Sequence, residues 1–365
     1  MPKMNHEEPF HSIEPIERAL TLPSTCYTDI EWHHTDVDQI LKPRWQYVGH
    51  ISQLKQDGDV FPIHLLGEPI LIVRDNGIIR AFYNVCKHRG GPLATEAEHC
   101  TMLQCKYHGW TYKLDGSLRG VPKFKYAELF DKKEYGLSQL PVEIWEGFIF
   151  VRLGSQMEPL ERQIGGITET VNPVRLADFK FHSRISYEIK CNWKVYADNY
   201  LEGYHIPHVH PELCELLVME NYKTIINDWQ ILQDSPLKDT NSIYQGAQDK
   251  AWYMFVYPNM MLNILPGRLQ LNQILPVDAQ SCKVHFDFFY SDEVIESKPD
   301  LPIQDKNYSD LVQNEDITIC EHVQLGLKSN AYTSGRYSVE TEKGVYAFQS
   351  LVKKDYLRAQ TSLDH

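Results

Sequence analysis

Between Cys86 and Trp110 the chain sets out two short pairs, Cys86-x-His88 and Cys105-x-x-His108, with residues 89–104 between them. Thiolates together with imidazoles suit zinc or an iron–sulfur cluster. A zinc finger brings its two cysteines close together and follows them with its two histidines. Here each pair mixes one of each. A two-iron cluster needs that arrangement if one iron takes both cysteines and the other both histidines. The histidine-bound iron would then lie near the surface, where electrons can leave.

A second crowd of metal-capable side chains lies downstream, where Glu202, His205, His208 and His210 fall within two or three helical turns. Two histidines and one carboxylate on one face of a ferrous ion leave the opposite face open for O2 and a substrate. Three histidines and a glutamate near a helix end could serve that purpose. Pro207 is expected to break the helix after His205, letting His210 turn back toward the same metal.

These groups need elements to hold them. From about Trp45 to Leu153 the sequence reads as short strands joined by tight turns. Two β-branched runs flank Asp75-Asn76-Gly77, a strong hairpin signal, and Asp115-Gly116 and Glu146-Gly147 repeat it. The Cys/His pairs fall on loops just before and between these hairpins. After about Gly154 helical periodicity alternates with strand-like runs, and Asp305–Ser329 and Val345–Arg358 read as helices. The second region is therefore expected to be α+β, an antiparallel sheet with helices packed on it.

The 365 residues can bury more than one core. A net charge of −13 with no concentrated basic stretch argues against a nucleic-acid binder. No run of eighteen apolar residues suggests a membrane span, and the N-terminal residues lack the apolar centre of a secretion signal. The eight cysteines are scattered, which reads as reduced thiols. Cys26, Cys191, Cys214, Cys282 and Cys320 are expected to be buried or half-buried small hydrophobes, and Cys100 fits neither metal pair. No G-x-G-x-x-G follows a strand, so no nucleotide site is evident.

The pairs in CKHRGGPL and CKYHGWTY resemble the Rieske [2Fe–2S] pattern, and from about residue 40 to 355 the chain resembles the catalytic subunit of the Rieske non-haem iron oxygenases. The resemblance implies an all-β Rieske domain at 44–154, a helix-grip catalytic domain at 155–365, and an N-terminal segment, 1–43, packing on the latter. It assigns Cys86 and Cys105 to one iron of the cluster and His88 and His108 to the other. In the family's carboxylate-x-x-His-x-x-x-x-His motif, His205 and His210 are ligands of a mononuclear Fe(II), and His208 is a neighbour. Asp316 becomes the third ligand, with Glu315 beside it as the rival. Glu202 takes the position of the family's bridging carboxylate. In a ring-shaped homotrimer, or a dimer of trimers, it would join His108 of one subunit to His205 of the next. Many ring-hydroxylating members have Asp there, and Glu is a departure. A separate flavin/iron–sulfur reductase would pass electrons from NAD(P)H, O2 would be co-substrate, and the cytoplasm is the expected compartment.

The stretch around Trp252 and the one after Asp316 resemble the choline, glycine betaine and carnitine monooxygenase branch. An aromatic cage would suit a quaternary ammonium substrate, and Tyr204, Trp252, Tyr253, Phe255 and Tyr257 are the candidates. Strand alternation allows only about half of them to face one pocket. The alternatives are an aromatic ring-hydroxylating dioxygenase or O-demethylase, and a Rieske electron carrier without oxygenase activity.

Overall fold

A computed structural model describes residues 12–155, 158–238, 243–244 and 250–363. The chain forms two compact units, residues 42–156 and the remainder.

The 42–156 unit is built of short strands. β1 (Gln46–His50) pairs with β11 (Phe148–Val151), which pairs with β10 (Val142–Trp145). β2 (Asp59–Leu65), β3 (Glu68–Asp75) and β4 (Ile78–Tyr83) form the centre of a second sheet, edged by β5 (Glu98–His99) and β9 (Gln139–Leu140). A third small sheet holds β6 (Leu103–Gln104), β7 (Thr111–Tyr112) and β8 (Leu118–Gly120). The hairpins have a common cause. Asn76 and Gly77 both have positive φ, as do Glu146 and Gly147, with Asp75 paired to Ile78 and Trp145 to Phe148. Two left-handed residues between paired strand ends match the right-handed strand twist.

The larger unit is a seven-stranded antiparallel sheet in the order β12-β18-β17-β16-β15-β14-β13. Its strands are β12 (Lys180–Ile189), β13 (Lys223–Asn227), β14 (Gln230–Pro236), β15 (Lys250–Val256), β16 (Met260–Leu265), β17 (Arg268–Asp278) and β18 (Ser281–Tyr290). Helices α1 (Trp193–Tyr200), α4 (Leu301–Leu327) and α5 (Lys343–Leu363) contribute with the strands to one apolar core. Between α1 and β13 lie the short helices α2 (Ile206–Val209) and α3 (Pro211–Leu216). The expected helix at 345–358 falls within α5, and the one at 305–329 matches α4 except that α4 begins four residues earlier and ends two residues sooner.

The segment at 12–41 packs on this unit. The Leu22 amide donates to Gln349 Oε1 at 2.7 Å, and Trp32 lies 4.3 Å from Tyr356, ring to ring. Asp36, fully buried, pairs with the equally buried Lys194 and accepts from Trp193 Nε1 at 2.8 Å. Burial is strong for Cys26, Cys191, Cys282 and Cys320, while Cys214 is only partly buried.

Candidate metal centres

The two Cys/His loops are near copies of each other. The first leaves β4 and carries Cys86 and His88. Asn84 closes it, accepting from the Leu93 amide at 2.8 Å and donating to the Ala94 carbonyl at 2.7 Å. The second joins β6 to β7 and carries Cys105 and His108. In both, the cysteine carbonyl accepts from a glycine amide four residues on, Gly90 and Gly109, at 3.0 and 2.9 Å. Both glycines have positive φ, 76° and 74°, where a side chain would be strained. Both cysteines are buried, while His88 is half-buried and His108 exposed. The His88 and His108 rings lie 4.7 Å apart, and His88 stacks on Trp110 at 4.9 Å.

The donor set fits two metals better than one. A single tetrahedral ion with bonds of about 2.0–2.3 Å brings its ligand atoms within about 4 Å of one another. Among the described residues, the only three or more His, Cys or carboxylate groups whose ligand atoms lie within 4.8 Å of one another are elsewhere in the chain. A binuclear cluster spreads its cysteines and histidines over two irons and suits the wider arrangement. Tyr112 hydroxyl lies 3.3 Å from Cys86 Sγ. A Cβ on Gly91 would stand 2.9 Å from Cys105 Sγ, so backbone alone can pass that sulfur.

The compact set is His205, His210 and Asp316. Sequence reasoning expected Pro207 to end a helix. Instead α1 ends at Tyr200, and Pro207 sits in the first turn of α2. A first-turn amide has no intrahelical acceptor to lose, and proline's fixed φ suits the start of a helix. The two histidines therefore flank one helical turn, His205 before it and His210 after it. The chain can fold back there because Gly203 passes the Tyr222 ring, which a Cβ would meet at 2.8 Å.

Asp316 comes from the middle of α4. Its Oδ1 lies 3.0 Å from His210 Nε2 and 3.8 Å from His205 Nε2, and it accepts from Asn199 Nδ2 at 2.6 Å. The outer ring nitrogens are also held. His205 Nδ1 is 2.5 Å from Glu202 Oε1, and Glu202 Oε2 accepts from the His205 and Tyr204 amides. His210 Nδ1 is 2.7 Å from Glu315 Oε2. Carboxylates on both Nδ1 atoms favour the tautomer that turns each Nε2 toward Asp316, so the three groups converge in a way that fits a single cation. Burial disfavours a charged His210 ring, but Asp316 and then Glu315 outweigh it and hold its pKa above the usual imidazole value. His208 is exposed and belongs to neither site.

The cavity beside this set is lined by Tyr196, Tyr200, Tyr222, Tyr253 and Tyr308, with Arg268, Gln270 and Asn272 from β17. Of the five aromatic residues expected to form a cage, only Tyr253 lines it. Phe255 and Tyr257 share its strand face but sit farther along, in the core against Phe348. Trp252 has the opposite parity on the strand. Tyr204 is exposed and lines a separate depression with Pro207 and Tyr222. Burial pushes the Tyr253 hydroxyl up to about 12 and those of Tyr200 and Tyr222 far above the ordinary phenol value. The tyrosines are therefore neutral walls, not acids. Sequence reasoning missed Arg268, Gln270 and Asn272, whose signal was a polar residue at every second position over the first five residues of β17.

Comparison with known proteins places the chain in a family. Residues 44–133 match the Rieske [2Fe–2S] domain, and residues 176–357 match the ring-hydroxylating alpha subunit catalytic domain. The chloroplastic choline monooxygenase of Arabidopsis thaliana is 34% identical over 93% of this chain and 83% of its own length. The carnitine monooxygenase oxygenase subunit of Acinetobacter baumannii is 32% identical over 92% and 94%. Among solved structures, the quaternary ammonium Rieske monooxygenase CntA in complex with L-carnitine is 30% identical, with a TM-score of 0.83 over 92% of this chain and 96% of that one. Naphthalene 1,2-dioxygenase, at 21% identity and a TM-score of 0.73, shares the fold. The chain belongs to the Rieske non-haem iron oxygenases, as the oxygenase subunit of a system fed by a separate reductase.

Proposed function

We propose that this oxygenase hydroxylates, or oxidatively demethylates, a quaternary ammonium compound of the choline, glycine betaine and carnitine type. The observation that carries the reading is the cavity wall. Five neutral tyrosines and several amides surround the candidate iron site, where a flat apolar pocket would suit an arene. Aromatic faces attract a desolvated cation that has no proton to donate, a term of about 2 kcal/mol in a buried site. The choline and carnitine monooxygenases among its relatives act on such compounds.

In this reading Cys86, Cys105, His88 and His108 hold the [2Fe–2S] cluster, and His205, His210 and Asp316 hold the mononuclear Fe(II). The metals, when bound, supply one-electron transfer and the reductive activation of O2. The protein's part is positional. Glu202 orients His205 and Glu315 orients His210, each through Nδ1. Asn199 holds Asp316 Oδ1, and Tyr196 and Gln313 bond each other on the cavity wall at 2.6 Å. Glu202 is also the bridging carboxylate toward the cluster of a neighbouring subunit, in a homotrimer served by a flavin/iron–sulfur reductase. The division of labour follows boundaries near residues 43 and 154. The reduced cluster calls for a reducing compartment, the cytoplasm in the simplest case. No helix among the described residues is long and apolar enough to cross a membrane.

The test is NADH-dependent oxygen uptake with a Rieske reductase across choline, glycine betaine, carnitine and aromatic acids, with products identified by mass. Oxidation of a quaternary amine, lost in Asp316→Ala together with one of three irons per chain, is the expected result. Turnover of aromatic acids alone would overturn the substrate class.

A further inference from the structure

The cavity beside the iron site holds more hydrogen-bond donors than its own acceptors use. Along β17, Arg268, Gln270 and Asn272 line the cavity, each no more than 4% exposed. Gln270 Oε1 accepts from Arg268 Nη1 at 2.9 Å and from Asn263 Nδ2 at 3.1 Å, which fixes the amide and leaves its Nε2 without a partner. Arg268 Nε lies 3.3 Å from Asp305 Oδ1 but makes no hydrogen bond to it. Asp305 instead accepts from the Tyr244 and Tyr290 hydroxyls at 2.7 and 2.6 Å. Across from β17, the Tyr308 and Ser309 hydroxyls and Gln313 Nε2 on α4 are also buried without a partner among the described residues, as is Asn272 Oδ1.

The accounting is one-sided. Three of these six atoms are N–H groups that can only donate, two are hydroxyls, and one is an acceptor. Buried polar groups rarely stay unpaired in a native complex. A trimethylammonium group offers them no acceptor. The hydroxyl of choline offers one oxygen, whereas a carboxylate offers two with about four acceptor positions. Charge points the same way. Asp305 already balances Arg268, so a zwitterion enters without changing the net charge of the buried site, and a cation or an anion does not.

We infer that the substrate is a carboxylated quaternary ammonium, a betaine and not choline, and that Arg268, Gln270 and Tyr308 receive its carboxylate. Arg268 and Tyr308 are brought to one place by Tyr244. The guanidinium stands 5.3 Å over the Tyr244 ring, and the Tyr308 ring is 5.7 Å from it. The tyrosines at 200, 222 and 253 remain for the ammonium end. The inference rests on the quaternary ammonium reading and narrows it.

The experiment is calorimetric binding to the iron-loaded oxygenase, which needs no turnover. Each carboxylated ammonium, glycine betaine and γ-butyrobetaine, is titrated against the alcohol of the same chain length, choline for the first. The carboxylate is expected to bind at least about ten-fold tighter, the scale of a hydrogen bond to a charged group. Arg268→Lys keeps a cation opposite Asp305, and Tyr308→Phe removes one hydroxyl. Both should shrink that ratio, lowering the carboxylate's affinity by more than the alcohol's. Equal or tighter binding of the alcohols by the unmodified protein overturns the inference and leaves the quaternary ammonium reading standing. Binding of neither member of any pair overturns both.

Discussion

Glu315 offers the sharpest test of how the mononuclear site is built. Its Oε2 sits 2.7 Å from His210 Nδ1, while Asp316, the next residue, faces the other nitrogen of the same ring at 3.0 Å. If Glu315 only orients the imidazole, Glu315→Gln keeps an acceptor and loses the charge. A hydrogen bond to a charged group contributes about 1.5–3 kcal/mol, and a carboxylate whose side chain is 30% exposed keeps the lower part of that range. At about 1.4 kcal/mol per factor of ten, Fe(II) affinity should fall roughly ten-fold, within the ten- to hundred-fold range usual for such supporting partners. The assay is competition against a calibrated chelator, with the cluster's visible absorption as an internal control for folding. Asp316→Asn should lose far more affinity than Glu315→Gln. If Glu315→Gln strips the mononuclear iron completely and Asp316→Asn retains it, the ligand assignment is reversed and the reasoning fails.

Three further outcomes follow from the packing. Gly91→Ala should reduce or abolish cluster incorporation, read from the visible spectrum and iron content, because its Cβ would sit 2.9 Å from Cys105 Sγ. Lys194→Met should destabilise the larger unit by about 3–5 kcal/mol in a denaturant titration, since it strands Asp36 as a buried charge, and a Lys194→Met/Asp36→Asn double variant should recover part of the loss. Asp198 is pushed up to about 7, first by burial and against the hydrogen bonds from Tyr27 and Gln349. Its folded pKa exceeds the unfolded value, so the native state binds the extra proton, and stability from this group falls as pH rises from about 4 through about 7. Asp198→Asn should flatten that part of the stability profile, and an unchanged slope would refute the assignment.

The candidate metal ligands were legible because ligand chemistry is local. A Cys-x-His loop can be recognised within a few residues, and left-handed hairpin turns announce themselves as Asn-Gly or Glu-Gly between β-branched runs. Asp316 needed a family resemblance, because nothing in one sequence says which carboxylate on a long helix faces a histidine 106 positions away. The aromatic cage was misread for a geometric reason. Alternation gives Tyr253 and Phe255 the same face of β15, but the cavity occupies only one end of that face. The polar row on β17 was equally visible in the sequence. It went unnoticed because polar alternation usually marks the solvent side of a strand, and here both sides are buried. Pro207 shows how a residue that interrupts helices reads differently once the previous helix has already stopped.

The span between His210 and Asp316 has a further meaning for the protein's life in a cell or a column. An iron held there would cross-link the short helices after α1 to the centre of α4, closing a loop of about a hundred residues whose freedom the unfolded chain would otherwise keep. The Cys/His loops of the 42–156 unit are closed by their own backbone hydrogen bonds and take no part in that tie. Chelation would therefore leave the coloured centre standing while releasing the segment from Glu202 to Tyr222. A brown preparation is consequently no guarantee of a competent one, and the mononuclear iron must be counted separately.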